Sequence, residues 1–283
     1  MSTPYESEKH MSITLEQVAT ETVTTKQPQV VLSALDPQEV YEAVTNAANT
    51  SQTMRELHTT KLQTSLFPDL VAGLCQRLWD NQVQFGSGDP FDIFLLTEDT
   101  DLEELAEDST ENIVVRQALE RLIPLSTQRE KKTSFLIDAY CAGAGCELPE
   151  LRTLGLRRSL SRQDQLDLLI ALLKQTSWPR QMMRGTEETS DSLFPLPRLI
   201  MHIDRIQYIA HCSPTDVAQY TAALTYMIEA LGDGFTLWLN IDDDDPSFPE
   251  EVKRALGQRF LASITHDLTA AWTSTEPAGP PTR

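Results

Sequence analysis

A chain of 283 residues, 40% of them hydrophobic, is long enough to bury the core of one large domain or of two modest ones. Its 23 Lys and Arg against 42 Asp and Glu leave a net charge of −19, which excludes a broad nucleic-acid-binding surface and favours basic partners or a salty cytoplasm. Its four cysteines lack paired CxxC spacing, and there is neither a signal-peptide core nor an apolar run of about 18 residues, so a soluble, reduced, cytoplasmic protein without membrane contact is expected.

In chain order, residues 1–28 are rich in Ser, Thr, Glu and Gln, and such composition predicts a flexible N-terminal arm. Residues 29–272 are expected to form a single helix-rich α/β domain, and residues 273–283, ending Pro-Ala-Gly-Pro-Pro-Thr-Arg, a disordered tail. Gln29 to Leu32 fits a short strand. Asp36-Pro37 then starts a helix with proline at its first position and Val40, Tyr41, Val44 and Ala48 at helical spacing. Leu66 to Phe85 repeats the pattern, with Leu70, Leu74, Leu78 and Val83 on one face. After a turn at Gly86 to Pro90, Phe91 to Leu96 reads as a buried strand. The dense acidic run Glu98 to Glu111 reads as a solvated helix face, or functionally as a dock for a basic partner.

Ile113 to Ile123 is amphipathic, with Pro124 expected to end it. Phe135 to Cys146 fits either a strand and turn or a close-packed helix. Ser161 to Gln175 is a clear helix, capped by Ser161 with Asp164 at its third position. Residues 180–193 read as a long loop. Next comes the most informative stretch. Leu199 to Ile203 and Phe235 to Leu239 are apolar runs ending on Asp204 and Asn240, and the segment between them opens at Ser213-Pro214 and closes at Leu231-Gly232. Strand, helix, strand in that order predicts a right-handed parallel crossover, with both polar residues at strand C-terminal ends, where open α/β sheets bind ligands. The acidic cluster Asp242 to Asp245 breaks the second strand. Ser247 and Glu250 then frame a helix running through Val252, Leu256, Phe260, Leu261 and Ile264.

Leu199-Ile-Met-His-Ile-Asp204 resembles the Walker B strand of AAA+ and related P-loop ATPases, Leu237-Trp-Leu-Asn240 resembles their sensor 1 strand, and Gly257-Gln-Arg-Phe260 is similar to the arginine-phenylalanine ending beyond it. The resemblance covers residues 197–270. It implies a parallel P-loop/AAA+-like sheet with additional helices, a nucleotide-site-like set of Asp204, Asn240 and Arg259, and ATP with magnesium as the ligand. Two departures point away from turnover. No GxxxxGK[ST] is present, so the phosphate cradle and its lysine are missing, and Arg205 stands where the family carries a water-polarising glutamate. The implied function is a non-hydrolysing AAA+-like adaptor or regulatory subunit, with no catalytic residue of its own, in a larger assembly that acts on nucleic acid through its other protein members. The alternatives are an active ATPase with an unconventional or partner-completed phosphate site, and an acidic helical interaction protein unrelated to ATPases.

Plainer roles stand beside these. Asp204 and Asn240 could cap turns, Arg259 could answer the helix dipole, and Trp238 and His202 could be core residues. His202, His211, Cys212, Cys141 and Cys146 match no zinc spacing, and no GxSxG elbow supports a hydrolase. The one local basic cluster, Arg152, Arg157, Arg158 and Arg162, is the candidate contact for nucleic acid or an acidic partner, set against pairing with the chain's own carboxylates.

Overall fold

Strands buried on both faces carry continuous apolar runs and need helical covers above and below. The computed structural model describes residues 13–25, 27–51, 55–61, 70–85, 91, 101–127, 131–143, 146–176, 198–241 and 248–269. Within it β1 (Gln29–Ser33) and β4 (Phe235–Asn240) are buried at every position. With β2 (Arg55–Lys61), β3 (Arg198–Asp204) and the two-residue β5 (His266–Asp267) they form one sheet in the order β2-β3-β4-β1-β5. Every pairing is parallel. The expected neighbours are in register, Leu199 opposite Phe235 through Ile203 opposite Leu239. The fold class is α/β and helix-rich.

The helices are α1 (Leu15–Thr24), α2 (Pro37–Ser51), α3 (Leu70–Phe85), α4 (Leu102–Ser109), α5 (Ile113–Thr127), α6 (Lys131–Cys141), α7 (Leu148–Thr153), α8 (Arg162–Thr176), α9 (Pro214–Leu231) and α10 (Phe248–Leu261). From β1 the chain passes through α2 to β2 at the far edge, and each later connection steps back the other way. Right-handed crossovers running in opposite directions put their helices on opposite faces. The two cores match that rule. Val31, Ile200 and Trp238 pack with Val18, Ala19 and Val23 of α1 and Val40, Val44 and Ala48 of α2. The alternate residues Leu199, Met201, Ile203, Leu237 and Leu239 face α3, α5, α8, α9 and α10.

Several expectations change here. Residues 1–12 lie outside the described residues, but the arm expected over 1–28 contains a helix. Thr14 and Gln17 form a reciprocal capping box, and Val18, Ala19, Thr22 and Val23 are buried against α2. A polar composition hid this narrow stripe, in which each buried valine is worth about 1.5–3 kcal/mol. β2 was not expected, because Arg-Glu-Leu-His-Thr-Thr-Lys is a polar edge sequence. Pro124 does not end α5, which runs to Thr127 with Ile123 and Ser126 still buried. Phe135 to Cys141 resolves as helix. Gly257, at φ 76°, interrupts α10, and Leu261 ends it before Ile264. Phe91 is buried against Trp79, with ring centroids 6.1 Å apart. The remainder of the strand expected there, the turn at 86–90, the loop at 180–193, the Asp242 to Asp245 cluster and the tail at 273–283 lie outside the described residues. Among the described residues no helix is long and apolar enough to cross a membrane.

Candidate functional site

β1 leads into α2 on one face and β4 leads toward α10 on the other, so the topological switch point lies between these adjacent strands. The crevice at their C-terminal ends is where a doubly wound sheet receives ligands. Strand alternation sends Ser33, Asp204, Trp238 and Asn240 to the α2 side, and register places Ser33 opposite Asn240. All four are fully buried, so each must find partners.

Those partners are largely one another. Asn240 Oδ1 accepts from Ser33 Oγ at 2.7 Å and from the Leu35 backbone N–H at 3.2 Å. Its Nδ2 donates to the Leu35 carbonyl at 2.9 Å and to Asp204 Oδ1 at 3.2 Å. The Trp238 indole N–H donates to Ser33 Oγ at 2.8 Å. One amide thus uses both its acceptor and donor capacity to tie β4 to β3 and to the segment leaving β1. Trp238 is a core residue with a satisfied N–H.

Asp204 and Asn240 are therefore brought into direct contact, and Arg259 is not brought to them. It is exposed, beyond the break at Gly257, and no hydrogen bond or ion pair among the described residues joins it to either. Immediately after Asp204, Arg205 adopts the left-handed backbone at φ 61°, the one non-glycine residue with positive φ among the described residues. That uncommon conformation turns the chain from β3 into a 3-10 helix at Ile206–His211.

The residues present do not fit a magnesium triphosphate. A phosphate loop needs eight residues with glycines and a lysine between strand and helix, whereas β1 and α2 are joined by Ala34-Leu35-Asp36 alone. The Leu35 N–H, which such a loop would aim at phosphate, is given to Asn240, and the N–H of Gln38 in the first turn of α2 donates to Asp36 Oδ1 at 2.7 Å. Among the described residues no group of three His, Cys, Asp or Glu side chains is placed to hold a metal ion.

The arginine cluster lies on the other flank, and all four of its members, Arg152, Arg157, Arg158 and Arg162, are exposed. Arg158 Nη1 pairs with Asp164 Oδ2 at 2.8 Å, and Arg162 Nη1 donates to Gln219 Oε1 at 3.4 Å. Asp164 anchors a polar network that sequence reasoning did not foresee. Ser161 caps α8 and donates to Asp164 Oδ2 from both its backbone N–H and its hydroxyl, at 2.8 and 2.6 Å. Asn112 caps α5 through Oδ1 and donates from Nδ2 to Asp164 at 3.0 Å and Asp167 at 2.6 Å. Tyr226 of α9 donates its hydroxyl to Asp167 at 2.8 Å. Burial pushes the Asp164 pKa up, but the bonds from Ser161, Asn112 and Arg158 outweigh it and hold the carboxyl at about 2. Burial, and then the bond to Asp167, push Tyr226 to about 12. An asparagine directly before a helical run is an N-cap signal, so Asn112 was findable as a cap.

All four cysteines are free, and burial raises Cys75 to about 12, which leaves it a protonated core residue. No protein-family model, curated protein or solved structure matches this chain.

Proposed function

We propose that this chain is a non-hydrolysing, AAA+-like adaptor or regulatory subunit that works through protein contacts in a larger assembly, with any action on nucleic acid supplied by the other members. The observation that carries the reading is the Asp204–Asn240 pair. A strand-terminal aspartate and a strand-terminal asparagine sit on neighbouring parallel strands beside the switch point, as in a P-loop ATPase, yet the asparagine amide is consumed by the chain's own backbone and by Asp204. Hydrolysis of a triphosphate requires an oriented water, a metal and a cradle for the developing charge. Arg205 follows the aspartate and offers no base, and the three-residue connection after β1 offers no cradle. In this reading the residues that served a ligand now join three strands, and the scaffold is kept for its surface. With −19 overall, that surface suits basic protein partners, and Arg158 is already engaged by Asp164.

Isothermal titration of the purified chain with magnesium ATP tests the reading. It predicts no saturable heat at micromolar concentrations. Micromolar, magnesium-dependent binding accompanied by phosphate release would replace it with an active or partner-completed ATPase.

A further inference from the structure

Protein interiors hold few voids larger than a water molecule, yet α2 leaves one over the sheet. A cavity of about 160 Å3 lies between α2 and strands β3 and β4. Val40 and Val44 wall it from the helix, and Ile200, His202 and Trp238 wall it from the strands. All five are buried, while Tyr41, which also lines it, is 47% exposed and stands at its mouth. Pro37 and the exposed Gln38 also line it, so the walls among the described residues are mostly apolar and aromatic, with one buried imidazole and one exposed amide, and access runs past an amphipathic ring.

The dimensions select the ligand. An apolar cavity of about 150 Å3 stays dry and admits one benzene-sized ring, and drug-sized molecules need at least about 300 Å3. Trp238 spends its indole N–H on Ser33, so it offers the cavity its carbon surface, against which a second aromatic ring packs favourably. A charged group would have to shed its water among valines and isoleucine, a cost that apolar walls do not repay. We propose that this cavity is a binding site for a small uncharged ligand built on a single aromatic ring. The ring sits among Val40, Val44, Ile200 and Trp238. The cavity shares Trp238 with the buried Ser33–Asn240 network, but the assignment does not depend on the nucleotide-related reading.

The test titrates phenol and benzoate into the full chain at pH 8, following amide shifts by NMR. Saturable phenol binding is expected, with shifts centred on α2, β3 and β4, and with benzoate at least tenfold weaker. Val44→Phe fills the cavity and should weaken phenol at least tenfold, whereas Val44→Ala widens it and should bind 2-naphthol at least threefold more tightly than the wild type. Unsaturable phenol binding, equal affinity for benzoate, or phenol affinity unchanged in folded Val44→Phe would each overturn the assignment. If Val44→Phe fails to fold, an unchanged 2-naphthol affinity in Val44→Ala overturns it instead.

Discussion

Replacing Asn240 by alanine removes four hydrogen bonds at once. The perturbed partners are the Ser33 hydroxyl, the Asp204 carboxylate and the N–H and carbonyl of Leu35. Ser33 and Asp204 are both 0% exposed, so water does not readily replace the lost amide. A buried polar group left without its partner costs about 1–3 kcal/mol, and each partly exposed Leu35 group nearer 0.5–1.5. Because the Ser33 oxygen still accepts from Trp238, the expected total is about 3–6 kcal/mol, a large share of the ~5–15 kcal/mol that holds a typical domain together. Urea unfolding followed by the summed emission of the four tryptophans reads this. Asn240→Asp keeps the shape and sets a second carboxylate against Asp204. Two buried carboxylates share a proton, which raises the folded pKa of the pair above its unfolded value. The loss in that variant should therefore be largest at neutral pH and shrink on acidification. A loss under about 0.5 kcal/mol for Asn240→Ala, the usual range for an ordinary surface change, would refute the claim that this amide joins the strands.

Asp164, held at about 2 against an ordinary 3.8, should add about 2 kcal/mol of stability that is complete above pH ~5 and lost as pH falls toward 2. Asp164→Asn should flatten the acid limb of a pH-dependent melt, and an unchanged limb contradicts the network. Gly143 has φ +74° and a Cβ there would meet the buried Gln165 side chain. Gly143→Ala should cost at least the ~1–2 kcal/mol of left-handed strain, measured by chemical denaturation. Isolated protein should not bind duplex DNA at ~0.15 M salt in an anisotropy titration, because −19 repels polyanions and Arg158 is paired. Salt-sensitive binding lost on mutating Arg152 and Arg157 would instead make the arginine cluster a nucleic-acid contact.

The centre of the sheet was legible because β3 and β4 are long apolar runs and α9 carries a local start signal, Ser213 before Pro214, with Ser213 Oγ accepting from the Asp216 N–H at 3.2 Å. Period and punctuation are local properties, so parallel neighbours with Asp204 and Asn240 at their ends followed from them. β2 escaped notice because an edge strand need not be apolar, and its parallel pairing with β3 joins residues more than 140 positions apart, as at Arg55 and Arg198. α1 escaped because four buried residues among threonines and glutamates leave a weak stripe. The site was half legible. Its strand-terminal residues stood out, but nothing local says that Asn240 spends its amide on Leu35, 205 positions away, or that Asn112 reaches Asp164 across 52. The helical spacing around Arg259 gave no warning of the break at Gly257, where φ is 76°.

The central claim is that Asp204 and Asn240 hold strands together and do not turn over nucleotide. Steady-state phosphate release from magnesium ATP, measured on the wild type and Asp204→Ala beside a thermal melt of each, tests it most directly. The account predicts release at background for both proteins and a lower melting temperature for Asp204→Ala, since Asn240 Nδ2 loses its acceptor at 3.2 Å, a loss of about 1–3 kcal/mol. Robust release by the wild type, abolished in Asp204→Ala with an unchanged melt, would contradict it and make Asp204 a catalytic ligand.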